Sequence, residues 1–177
     1  MMDAGDVKKL KQLEVMLRPL FFLQEKLDEK IKARYEYDDK LLQEHYQKKI
    51  LGLRVEIGEL LNALRFHKYW STANPDSRDH ILEEYVDGLH LMLSIGVEKG
   101  IKDYQYRGIY DMTADDLTYL FEVLMTMPYI DLTKDDYKLA LEMYLKLGEL
   151  LLFSWEDIKS AYAKKNIENQ ERQNAGY

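Results

Sequence analysis

Residues 51–64 read LGLRVEIGELLNAL and residues 81–96 read ILEEYVDGLHLMLSIG. Around the first of these, Ile50, Leu53, Ile57, Leu60, Leu61 and Leu64 form an apolar stripe with the spacing of one helix face. No stretch alternates apolar and polar residues for long enough to make a strand. Helix formers dominate, and Pro and Gly number only 3 and 9 among 177 residues. The expected fold is therefore all-α, a bundle of about six or more helices.

Outward from this centre, a helix is predicted over residues 7–33, with Leu10, Leu13, Leu17, Leu20, Leu27 and Ile31 turned inward. Pro19 either kinks it or begins a second helix. After charged residues 34–40, a helix is expected over 41–69, stopping near Trp70. STANPDSR at 71–78 collects turn formers and reads as a loop. Asp76 or Ser77 then caps a helix reaching about Lys99. Three capping boxes mark further starts: Thr113 with Asp116, Thr133 with Asp136, and Ser154 with Asp157. The helix expected over 134–153 is apolar on more than one face, which predicts burial against several neighbours, another subunit included. The last helix is expected to begin near Trp155 and to fray after Asn166. No repeat, low-complexity segment or linker divides the chain, so residues 1–177 read as one domain.

Composition narrows the function. A net charge of −7, from 25 Lys and Arg against 32 Asp and Glu, argues against duplex nucleic acid as a partner. The absence of cysteine excludes thiolate metal sites, disulfides and cysteine nucleophiles. The start MMDAGDVKK has no apolar leader region, and no stretch is apolar for the ~18 residues of a membrane span, so a cytoplasmic protein is expected.

Glu56 and Glu59 are three apart on one predicted helix, as are Glu84 and Asp87 on another, so each pair shares a face. Acidic pairs at this spacing are common and mostly solvated. These four, however, sit in two of the most apolar stretches, where carboxylates need compensation. If both pairs face inward, each repulsion at ~4 Å amounts to ~4 kcal/mol at an effective dielectric of 20, which calls for protons or cations between them. Oxygen-only donors favour Mg²⁺, a cation that keeps positions for water and substrate phosphates. A di-iron bundle would supply Glu-x-x-His pairs, and neither acidic pair provides one.

EIGELLNALRFHKYWS (56–71), ILEEYVDGLHLMLSIG (81–96) and KNIENQERQNAGY (165–177) together resemble the dimeric all-α dUTP diphosphatases of the bacterial and phage type, within the MazG-like nucleoside triphosphate pyrophosphatases. LFFLQEKLDEKI (20–31) resembles the family's uracil-side helix, so the likeness spans nearly the whole chain. It implies Mg²⁺-dependent hydrolysis of dUTP, and of dUDP, to dUMP by a homodimer. By position it implies Glu56, Glu59, Glu84 and Asp87 as metal ligands, with Glu59, or else Glu56, orienting or deprotonating the attacking water. Gln24, Asp28, Trp70 and His90 match the base-side positions. Many relatives carry Asn where this chain has Asp28, which can accept from a ring N–H but not donate to a carbonyl. Lys165, Asn169 and Arg172, with Lys68 as a weaker candidate, match the phosphate side, in a C-terminal segment (about 165–177) expected to close over substrate. Several have a plainer alternative: Trp70 as a packing anchor, His90 as a satisfied core residue, Lys68 as a solvated helix-end cation, the C-terminus as a frayed end. Two other functions compete, a related pyrophosphatase with another nucleotide substrate and a non-catalytic helical interaction protein. The sequence names no regulatory partner.

Overall fold

The computed structural model describes residues 4–34, 38–108 and 110–176. Among them are six α-helices and no strand: α1 (Ala4–Lys32), α2 (Asp39–Ala63), α3 (Arg78–Glu98), α4 (Leu117–Thr126), α5 (Lys134–Leu150) and α6 (Trp155–Asn174), with a 3₁₀ turn (Ala114–Asp116) leading into α4. The expected inward positions Leu10 and Leu13, and Tyr177, lie outside the described side chains.

Helix α3 is the centre of the bundle, packed against α1, α2, α5 and α6. It is buried nearly all round, from Ile81 and Tyr85 through Leu89 and Met92 to Gly96, which is why its sequence is apolar on every side. Helix α2 meets it with the stripe read from the sequence: Ile50, Leu53, Ile57 and Leu60 are buried. Where α5 crosses α3, tyrosine rings lie over glycines. Tyr144 sits above Gly88 and Tyr85 above Gly148, and each hydroxyl donates to the other tyrosine's carbonyl, at 2.8 and 3.3 Å. A Cβ on Gly88 would stand 2.1 Å from the Tyr144 hydroxyl, so this close approach requires glycine.

The helix starts follow local chemistry. Ser77 caps α3 by accepting from the His80 amide, and all three predicted capping boxes form, at Thr113, Thr133 and Ser154. Asp157 accepts from the Ser154 hydroxyl, the Arg78 guanidinium and the Ser154 amide, and these bonds hold its carboxyl down at about 2. Because the folded-state value lies below the ordinary 3.8, this stabilisation is present above that pH and is lost as pH falls toward 2. Thermal melts of wild type and Asp157→Asn should accordingly differ at neutral pH and converge across that acidic window. A constant gap down to pH 2 would remove the cap from acid stability.

The ends depart from the sequence reading. Helix α2 stops at Ala63, not near Trp70, because Arg65 adopts a left-handed conformation (φ 53°). Phe66 N then bonds Leu61 O at 3.2 Å and Arg65 N bonds Asn62 O at 3.0 Å, closing the helix as a glycine would. The chain beyond is tied back by Asp76 N to Ala63 O at 2.9 Å and by Arg65 to the Ser71 hydroxyl at 2.7 Å. Helix α1 runs through Pro19 as one element. Helix α6 continues to Asn174, well past the fraying point expected after Asn166. Asn166 is buried in the contact with α1, accepting from Gln170 and reaching Leu23 O, which carries the helix onward. No described helix is long and apolar enough to cross a membrane.

Candidate active site

Close packing of α2 on α3 brings three of the four singled-out carboxylates together. Glu56, Glu84 and Asp87 each offer an oxygen within 4.8 Å of the others, all partly buried. Burial, then the charges of Asp87, Glu59 and Glu84, push the Glu56 carboxyl up to about 7, against the influence of Lys165. Burial and the Glu59 charge raise Glu84, and burial raises Asp87 despite an opposing Lys165. Lys165 donates to Asp87 at 2.6 Å and to Glu83 at 3.4 Å. Burial disfavours the lysine's charge, but these acidic partners outweigh it and raise its pKa. His80 stands 3.5 Å from Glu84.

Beside the carboxylates lies a cavity of about 570 Å³ whose walls include Glu56, Asp87, Lys165, Asn169 and Arg172. Gln24, Asp28 and His90 line it too, so residues from α1, α2, α3 and α6 face one space. A second cavity of about 590 Å³ shares Lys165 with it but contains none of the three clustered acids. Against the first cavity, Gln24, Asp28, His90 and Ser94 form a buried polar network. Gln24 Nε2 donates to Asp28 at 2.9 Å, and Ser94 donates to the other Asp28 oxygen at 2.6 Å. Tyr162 donates to Gln24 Oε1 at 2.7 Å and stacks on His90 with ring centroids 3.8 Å apart. Burial holds the His90 imidazole down to about 3, so the ring is neutral at ordinary pH.

Residues 16–177 match the family model described as dUTPase. The chain belongs to the all-α dUTPase family. It is an enzyme that hydrolyses dUTP, and dUTPases work with divalent metal ions. No curated protein matches the chain. The donor set of this dUTPase fits such an ion: three hard carboxylate oxygens converge, and burying them together leaves charge for a cation to offset.

Four sequence-singled residues stand differently from the rest. Glu59 is exposed and outside the three-carboxylate group, yet its charge is the leading one acting on Glu84. Glu84 belongs to the carboxylate group but does not line the cavity. Lys68 and Trp70 do not line it either. Because α2 ends at Ala63, they fall in the following loop, where Lys68 donates to Asn62 at 2.6 Å and Trp70 is 68% exposed against Tyr69. Sequence reasoning missed Ser94, Tyr162 and Lys49. Ser94 carried a signal, a hydroxyl one turn after His90 on an otherwise apolar helix, and Lys49 lies two turns before Glu56 on α2. Tyr162 carried none, because its role depends on α6 packing against α1.

Proposed function

We propose that this dUTPase converts dUTP, and dUDP, to dUMP with Mg²⁺. The observation that carries the reading is the sharing of one cavity by Glu56, Asp87, Lys165, Asn169, Arg172, Gln24 and His90, with Glu84 completing the acidic group. Glu56, Glu84 and Asp87 would hold the metal, and Glu59 at the exposed edge would orient or deprotonate the attacking water. Bound there, Mg²⁺ would neutralise phosphate oxygens and the leaving group. Lys165, Asn169 and Arg172 supply ammonium, amide and guanidinium donors suited to phosphate oxygens. Asn169 and Arg172 lie in the segment 165–177, which we assign the role of closing over substrate. The base is assigned to Gln24, Asp28 and His90.

Trp70 is assigned to the base side and Lys68 to the phosphate side, and the assembly is assigned as a homodimer. Exposed Leu51 and Val55, one turn apart on α2 at 58% and 56% exposure, support an interface between copies. Sedimentation at micromolar concentration should show a dimer, and a monomer would oppose this. A cytoplasmic location without nucleic-acid or membrane partners accords with the acidic composition.

The test is turnover. With Mg²⁺ the purified chain should yield dUMP from dUTP and spare dTTP and dCTP. Equal hydrolysis of all three would instead support a broader pyrophosphatase. Glu59→Gln should lower kcat by about 10²- to 10⁴-fold, the usual contribution of a positioned acid or base, with helicity retained. Unchanged turnover would remove Glu59 from the chemistry.

A further inference from the structure

The acidic group is in contact with a cation of the chain's own. Lys165 on α6 donates to Asp87 at 2.6 Å and to Glu83, one turn earlier on α3, at 3.4 Å. The pair with Asp87 is sheltered, with the lysine side chain 15% exposed and the aspartate side chain 18%. Lys165 also stands where two cavities meet, since it lines the one walled by Glu56 and Asp87 and the one walled by Glu83. Partly buried carboxylates that offer oxygens within 4.8 Å of one another call for positive charge, and the ammonium at Asp87 supplies some of it. A divalent ion answers the same need at the same residues. Held together on one Asp87 oxygen, the two cations would stand within about 5 Å of each other and repel across a sheltered site. The ammonium is the one able to leave, because it is a compact charge on a flexible aliphatic stem. Asn169 lies one turn further along α6 and lines the same cavity, so an ammonium released from Asp87 has that wall to turn along.

We propose that Lys165 is an exchangeable counter-ion, which gives up Asp87 when a divalent ion takes that carboxylate and then turns to the phosphate oxygens of the nucleotide. This rests on the assignments of Asp87 to metal and Lys165 to phosphate under Proposed function, and adds a coupling between them. One side chain then acts in opposite directions on two ligands. It competes with the metal for Asp87, and it strengthens nucleotide binding once the metal has released it. By linkage, whatever the nucleotide gains from Lys165 in the presence of metal, the metal gains in return in the presence of nucleotide. A lysine that only neutralised Asp87 to hold α6 against α3 would show neither the competition nor the coupling.

Mn²⁺ binding to the full chain, followed by electron paramagnetic resonance without nucleotide, tests the exchange apart from turnover. Lys165→Met should bind Mn²⁺ about 10-fold more tightly than wild type, within the usual span of coupling between two sites. Lys164→Met, which removes the neighbouring exposed charge of α6, should bind Mn²⁺ as wild type does. Mg²⁺ should strengthen binding of a non-hydrolysable imido analogue of dUTP less in Lys165→Met than in wild type. Unchanged Mn²⁺ affinity in Lys165→Met overturns the competition, and equal tightening by Lys164→Met reduces it to long-range charge and overturns it too. An equal effect of Mg²⁺ on analogue binding in both chains overturns the coupling. The lysine ammonium ¹H–¹⁵N spectrum of wild type gives a second readout, with Lys165 identified by its loss in Lys165→Arg. Bonded to Asp87, the Lys165 ammonium is protected from exchange with water. Its signal should vanish on adding Mg²⁺ alone and return with the analogue, and a signal unchanged by Mg²⁺ overturns the release. This readout decides the matter even if Lys165→Met does not fold. If neither wild type nor Lys165→Met binds Mn²⁺, the metal assignment of the carboxylates falls and the exchange with it, whereas binding at equal affinity removes the exchange alone.

Discussion

Glu56→Gln is expected to lower dUTP hydrolysis by about 10³-fold while raising the melting temperature of the metal-free protein. Both effects come from the same crowding. Burial and the charges of Asp87, Glu59 and Glu84 act together on Glu56, pushing its carboxyl up to about 7. Isolated unit charges at ~4 Å repel by ~4 kcal/mol at an effective dielectric of 20, but the site is only half-buried, and Lys165 lies 2.6 Å from Asp87. After discounting for solvent and for that lysine, neutralising Glu56 should return about 1 kcal/mol, or about 2–4 °C in a domain of this size. The loss of activity follows from replacing one of three converging carboxylates with a neutral amide, whose oxygen is a weaker ligand for a hard cation. Differential scanning calorimetry without metal, paired with a dUTP assay with Mg²⁺, checks both. A variant that keeps full activity would dissolve the metal assignment, and one that melts lower would show that Glu56 serves the fold. An enzyme of this kind accepts local instability where its chemistry needs charge.

Deleting residues after Asn166 is expected to reduce kcat/KM for dUTP by about 10²- to 10³-fold while the bundle stays folded. Asn169 and Arg172 lie beyond the cut and line the cavity, and the charge of Arg172 reaches Asp87. The part of α6 that packs into the core, Ile158, Tyr162 and Asn166, lies before it. Among the described residues, the removed segment is tied to α1 by Lys30 to Gln170 O at 3.3 Å and to the turn after α1 by Arg34 to Gln173 at 3.1 Å, bonds that lie outside the buried core. Circular dichroism should therefore lose the signal of the last turns of α6 and keep a cooperative melt. Full activity in the truncated chain would end the closing role of the C-terminus, and global unfolding would reassign it to stability.

The helix starts, the apolar stripe of α2 and the all-round burial of α3 were legible in the amino-acid order. Capping boxes and hydrophobic periods act within one or two turns, and a side chain's face follows from its position. The shared faces of Glu56 with Glu59 and of Glu84 with Asp87 were legible for the same reason. That three of these four acids meet, with Glu59 exposed at the edge, depended on how α2 is rotated against α3. The end of α2 at Ala63 was hidden because Arg65, not glycine, takes the left-handed position, while Arg65 donates to the Ser71 hydroxyl and the Asp76 amide donates to Ala63 O, contacts that no local pattern encodes. Likewise α6 outlasts its polar sequence because Asn166 is buried against α1, and Tyr162 reaches Gln24 across 138 positions of chain. Residue order alone determined which segments are helical and which side chains share a face. Only tertiary packing decided where α2 and α6 end and which polar atoms are buried together, because those outcomes rest on contacts between residues far apart in the chain.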